Sequence, residues 1–175
     1  PQDIRVKQEA NSLVKKGFHM TVICPKKSGQ IWCEVVDGVE VVRYPAPPES
    51  DGFVGYIVEY GYSLVMAFIL SLFVWVQKGF DIIHAHNPPD LYVMIAGFYK
   101  LFGKKFVFDQ HDLSPEMYFA RFDGEGNKYV HRALLLFERL SYRLADPVIA
   151  TNGSYKQIQM QRGNVPEDRI TVVRN

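Results

Sequence analysis

Two short stretches concentrate the side chains able to do chemistry: His84-Ala85-His86-Asn87 and Asp109-Gln110-His111-Asp112. Together they supply three imidazoles, two carboxylates and two side-chain amides. Imidazole held beside carboxylate can position a hydroxyl or stabilise a developing charge. The same residue types also ligate zinc or manganese, so His84, His86, Asp109 and His111 form the ligand set of a metal-dependent hydrolase as the competing reading. Neither GxGxxG nor GxxxxGK[ST] occurs, and there is no CxxC pair, so no phosphate loop or cysteine metal site declares itself.

The elements around these stretches decide whether they meet. DIIHAH (81–86) and KKFVFDQ (104–110) are apolar runs of strand length, and each ends in one of the polar groups. Side chains alternate along a strand, so His84 and His86 share a face. Adjacent parallel strands lie ~5 Å apart, which brings the two polar ends to one rim. The remaining chain alternates in the same manner. Helical patterns fall at 3–16, 57–76, 90–102, 128–144 and 154–162, and strands at 20–25, 39–45, 147–151 and 170–175. Residues 29–38 read as a loop or hairpin, 45–52 as a Pro-rich loop, and Gly103 as a helix stop. Helix and strand in alternation predict an α/β fold of the Rossmann-like, doubly wound kind, a mainly parallel sheet with helices on both faces. In such folds ligands bind beyond the carboxyl ends of the strands, where both polar groups fall.

Each candidate also has a plain structural use. His84, inside its strand, is expected to be a core histidine bonded to backbone, whereas His86 and His111 face the crevice. Asp109 either orients His111 and satisfies loop amides or takes part in the chemistry, and both readings stay open. Asn87 precedes Pro88-Pro89 and suits a turn, Asp90 suits a helix cap, and Ser114 suits the cap of a short helix opened by Pro115 and Glu116. On 128–144, Arg132, Arg139 and Arg143 share a face that is either solvated or binds an anionic ligand, and Glu138 pairs with Arg132 or Tyr142 nearby or faces another element.

Composition narrows the field. A chain of 175 residues, 47% apolar, with a net charge of +1, has a full core and no global footprint for nucleic acid. Its length favours one domain, 1–175. Two cysteines, Cys24 and Cys33, are too few for a disulfide framework and point to a reducing compartment, with Cys24 expected as a buried thiol. PQDIRVKQEA lacks the apolar centre of a signal peptide, and a first residue other than Met suggests that the chain starts part-way into a longer protein. The segment 57–76 approaches the ~20 residues of a membrane span, but its uninterrupted apolar part, 64–76, has the length of a packed helix. Packing on the sheet is the expectation, with membrane contact as the alternative.

The order and spacing of DIRVKQEANSLVKKGFHMTVICP, DIIHAHNP, KFVFDQHDLSPE, FERLSYRLADPVIATN and VPEDRITVVRN resemble the N-terminal half of family 4 glycosyltransferases, retaining enzymes of the two-Rossmann GT-B fold. The resemblance implies a half-enzyme. The family's first strand and glycine-bearing loop would precede Pro1, and its nucleotide-sugar domain, with paired glutamates, would follow Asn175. No cofactor is implied for this domain, and the fragment would be inactive alone. By position His111 matches the cleft histidine near the transferred sugar, with Asp109 beside it as the second catalytic residue. His86 and Asn87 match a polar strand-end pair on the acceptor side. Asp112, Glu116, Arg121, Thr151 and Asn152 are further rim residues for substrate, and Arg5 and Glu9 are placed to contact acceptor or to pair with one another. The implied partners are a glycan or lipid-linked acceptor and a nucleotide-sugar donor. The implied location is cytoplasmic, with peripheral contact at the inner face of the membrane, and a non-catalytic interaction domain is the remaining alternative.

Overall fold

The computed structural model describes residues 3–47, 52–122, 124 and 126–174; part of the loop expected at 45–52, residues 123 and 125 of the polar loop, and Asn175 lie outside them. The chain forms two compact units, Pro1–Gly79 and Phe80–Asn175, and each contains one sheet.

In the first unit, helix α1 (Ile4–Lys15) begins where the Asp3 carboxylate accepts the Arg5 backbone N–H at 2.9 Å. Strand β1 (Thr21–Lys26) runs parallel to β3 (Val39–Pro45), and β2 (Cys33–Val36) pairs antiparallel to β3. The β2–β3 turn is Asp37-Gly38, both at positive φ (54° and 83°), the backbone that a two-residue hairpin requires. Ala10, Val39 and Val41 form the small core, with Val14, Val22 and Val36 packed on it. Cys24 and Cys33 are free thiols on strands either side of β3, and Cys24 is only half-buried.

Helix α2 (Gly52–Lys78) departs from the packed-helix expectation. Among its described large apolar side chains only Val74 is buried. The reason is geometric. Its 27 residues extend roughly 40 Å, while β3, the longest strand beside it, has seven residues and reaches about 24 Å. A three-stranded sheet cannot cover such a helix.

In the second unit, β4 (Ile82–His86), β5 (Lys105–Gln110), β6 (Val148–Ala150) and β7 (Ile170–Val172) form a wholly parallel sheet in sequence order. The connections are helical: α3 (Val93–Lys100), preceded by a 3₁₀ turn at Asp90–Tyr92; α4 (Ser114–Arg121) and α5 (Lys128–Leu144); and α6 (Gly153–Gly163). Their apolar residues close over the strands. Phe106, Phe108, Ala85, Val148 and Ile170 meet Val93 and Ala96 of α3 and Tyr142 of α5. This is the parallel sheet flanked by helices that the alternation predicts. Two expected caps differ. Asp90 is buried in the 3₁₀ turn, where it binds Asn87, and Ser114 is a buried first helical residue with Leu113 at the cap position.

Candidate functional site

The register of β4 and β5 sets the site. His86 pairs with Asp109 across the two strands, and His84 pairs with Val107. Because residues two apart share a face, His84, His86 and Asp109 project together, and His111 follows one step past the end of β5. The carboxylate is the hub. Asp109 Oδ2 lies 3.0 Å from His86 Nδ1, 3.0 Å from His111 Nε2 and 3.6 Å from His84 Nε2. His86 Nδ1 and His111 Nε2 are 3.1 Å apart. The rings form a stack, with centroids 4.4 Å apart for His84 and His86 and 5.4 Å for His86 and His111.

Burial alone would raise the Asp109 pKa, but the imidazoles of His111, His84 and His86 gathered around it outweigh that and hold the carboxyl well below the usual carboxylate range. An ionised carboxylate only accepts, so any histidine ring N–H that faces Oδ2 is the donor of that bond. The members differ in access. The side chains of His111 and Asp109 are each 4% exposed, against 24% for His86. His84 stacks on His86 and lies beside the carboxylate.

Asn87 locks this geometry from beneath. Its Nδ2 donates to Asp90 Oδ1 at 2.9 Å and to the Asp112 carbonyl at 2.7 Å, while its Oδ1 accepts the backbone N–H of His111 at 2.6 Å and of Asp112 at 3.1 Å. All of its polar capacity toward these groups is spent within the protein. Asp90, below it, is pushed up to about 7, chiefly by burial; the hydrogen bond from Asn87 opposes the rise, and the nearby carboxylates of Glu138 and Glu116 add to it.

A second buried network adjoins the sheet; of the partners the sequence offers Glu138, Tyr142 belongs to it, and the cation is Arg162 of another helix rather than Arg132. Glu138 is fully buried on α5. Arg162 of α6 binds Glu138 at 3.1 Å and also pairs with Glu116, and Gln110 Nε2 donates to Glu138 Oε1 at 3.2 Å. Tyr142 and Gln159 both donate to Gln110 Oε1 at 2.9 Å. Burial raises the Glu138 carboxyl even though Arg162 opposes it. The signal was present in the sequence: Glu138 stands four residues after Leu134 and four before Tyr142, on the buried face of its helix.

The other candidates are spread out. Glu116, in the first turn of α4, is engaged by Arg162, and Arg121 is exposed at the end of that helix. Asn152 caps α6 by accepting the Tyr155 N–H at 3.0 Å, next to Thr151. Arg5 and Glu9 lie on α1 of the first unit, where Arg5 forms an ion pair with Asp3 and lowers its pKa to about 2. Arg132 is exposed, while Arg139 and Arg143 join Arg162, Gly163 and Asn164 around a cavity of about 300 Å³.

A parallel α/β unit with an imidazole–carboxylate cluster at its strand ends agrees with the family resemblance, and direct comparison supports it. Residues 3–175 match glycosyltransferase family 4, and the chain belongs to that family. Its fold is similar to that of sucrose-phosphate synthase from Thermosynechococcus elongatus, with a TM-score of 0.72 and 15% identity, over 99% of this chain and 42% of that one. A second, shorter chain of the same synthase aligns with a TM-score of 0.68 and 14% identity, over 98% of this chain and 84% of the other. The fold is therefore that of one half of a GT-B glycosyltransferase, and this chain spans less than half the length of the longer synthase chain. No curated protein sequence matches. Enzymes of this family use nucleotide-sugar donors.

Proposed function

We propose that this chain is the acceptor-side domain of a retaining glycosyltransferase, which passes a sugar from a nucleotide-sugar to a glycan or lipid-linked acceptor together with a donor-binding domain. Alone it is inactive. It works in the cytoplasm, at the inner face of the membrane when the acceptor is lipid-linked. The supporting observation is the grouping of three imidazoles around one ionised, buried carboxylate at the carboxyl ends of β4 and β5. In retaining transfer the acceptor oxygen bonds to the anomeric carbon on the face from which the diphosphate leaves, and the hydroxyl proton passes to that diphosphate. The developing positive charge on the sugar then needs oriented, negative surroundings more than a nucleophile. The Asp109–His111 pair supplies a fixed charge and a fixed ring, and His86, the more accessible member, meets the hydroxyls of the substrate. Asn87 holds the backbone of His111 and Asp112 in place.

The experiment is sugar transfer by the full-length protein carrying His111→Ala. The expected loss of turnover is roughly 10²- to 10³-fold, the usual effect of removing one preorganised electrostatic group. Unchanged turnover in a folded variant removes His111 from the mechanism. A second reading, a metal-dependent hydrolase, is favoured by the convergence of ligand atoms from His84, His86 and Asp109. Stoichiometric zinc or manganese in protein prepared without added metal supports that reading instead.

A further inference from the structure

Helix α2 presents one set of its large apolar side chains outward. Val58, Val65, Ile69, Phe73 and Val76 are between 43% and 82% exposed. At 100° per residue these five fall within an arc of roughly 80°, so they form one continuous stripe. The mean hydropathy of Ile57–Lys78 is 1.9, and no charged residue occurs between Glu59 and Lys78. Single exposed apolar residues need no explanation, but an ordered stripe along a whole helix marks an interaction surface.

We infer that this stripe is a membrane-docking face, seated in the boundary between lipid headgroups and acyl chains with the helix lying in the plane of the bilayer. Two observations select this partner and this posture. Protein interfaces carry a polar rim that supplies directional hydrogen bonds. Here the flanks of the stripe are also apolar, with Gly61, Phe68 and Leu72 on one side and Met66 and Leu70 on the other, and charge returns only at the helix ends. Tyr60 and Tyr62 near one end and Trp75 near the other are residue types enriched at headgroup level. Apart from Tyr62, which lies within the same arc and packs its ring on Tyr44, the stripe and its flanks carry no directional polar group along their middle, and such a surface fits a hydrocarbon layer. The helix is also fastened lengthwise to β3, through the Tyr62 ring 6.3 Å from that of Tyr44 and Lys78 Nζ 2.6 Å from Glu40. Crossing the bilayer would carry Glu40, Arg43 and Glu34 of the attached strands into hydrocarbon, which is far costlier than lying at its surface.

The inference builds on the membrane-side placement proposed above and not on the transfer chemistry. Its test is co-sedimentation of the full-length protein with phosphatidylcholine vesicles, and with vesicles also containing phosphatidylglycerol. The wild type should bind both. Ile69→Gln with Phe73→Gln, both at exposed positions, should weaken partitioning roughly a hundredfold, about tenfold for each large apolar side chain withdrawn, while circular dichroism stays unchanged. A wild type left in the supernatant, or a double variant that binds as well as the wild type, overturns the inference. Self-association in place of vesicle binding, abolished by the same two substitutions, overturns it as well. The failure of each proposal is separately visible, because His111→Ala should bind vesicles normally and the stripe variant should still glycosylate a soluble acceptor.

Discussion

Replacing Asp90 with asparagine should stabilise the protein, by an amount that depends on pH. The Asp90 carboxyl is buried beneath Asn87, and its pKa rises from the ordinary 3.8 to about 7, chiefly because burial penalises the charge. Between about pH 4 and pH 7 the unfolded chain has released this proton and the folded chain still holds it, so folding stability falls as pH rises through that window. At roughly 1.4 kcal/mol per pH unit over about three units, the loss reaches about 4 kcal/mol and then levels off above pH 7. Asparagine copies the shape of the neutral acid and retains an oxygen for Asn87 Nδ2, now 2.9 Å from Asp90 Oδ1. The assay is urea denaturation of wild type and Asp90→Asn at intervals from pH 4 to pH 8. The variant's advantage should grow by about 4 kcal/mol across the range, and the titrating groups not coupled to Asp90 cancel in the difference. A difference that stays constant with pH would refute the reasoning, because Asp90 would then ionise as freely in the folded state as in the unfolded one.

Asp109→Asn should act in the opposite sense. The folded-state pKa of Asp109 is depressed, so its contribution is present above the ordinary aspartate pKa and is lost as pH falls through the folded value; the variant should be about 3 kcal/mol less stable at pH 7, and the gap should narrow in strong acid, as read from thermal unfolding at both conditions. Arg162→Met leaves Glu138 buried without its cation and should cost about 3–5 kcal/mol in denaturant unfolding, whereas Arg162→Met combined with Glu138→Leu should recover much of that loss.

The fold was legible wherever a local pattern determined it. Apolar runs bounded by Gly and Pro gave the strands, and the polar residues ending 81–86 and 104–110 fell at neighbouring strand ends because short βαβ units keep consecutive strands adjacent. Asp109 is a different matter. That it meets three imidazoles follows from a shared register, His86 opposite Asp109, which spacing suggests but does not fix. Arg162 with Glu138 and Glu116 was out of reach because the pairing joins three separate helices, and nothing in the sequence of one helix names its neighbour. The exposure of α2 was also hidden: periodicity reports which residues are apolar, and not whether the adjacent sheet is large enough to cover them.

The Asn87 clamp bears on how this domain can be recombined with its relatives. One amide joins the end of β4 to the segment after β5 through hydrogen bonds to His111 and Asp112. The stretches 84–90 and 109–114 are therefore a single inheritable module despite the helix and strand between them. A chimera with its breakpoint inside α3 would pair one parent's clamp with the other parent's loop, and would scatter the histidines even where both parental folds survive. Crossovers before β4 and after α4 keep the module whole.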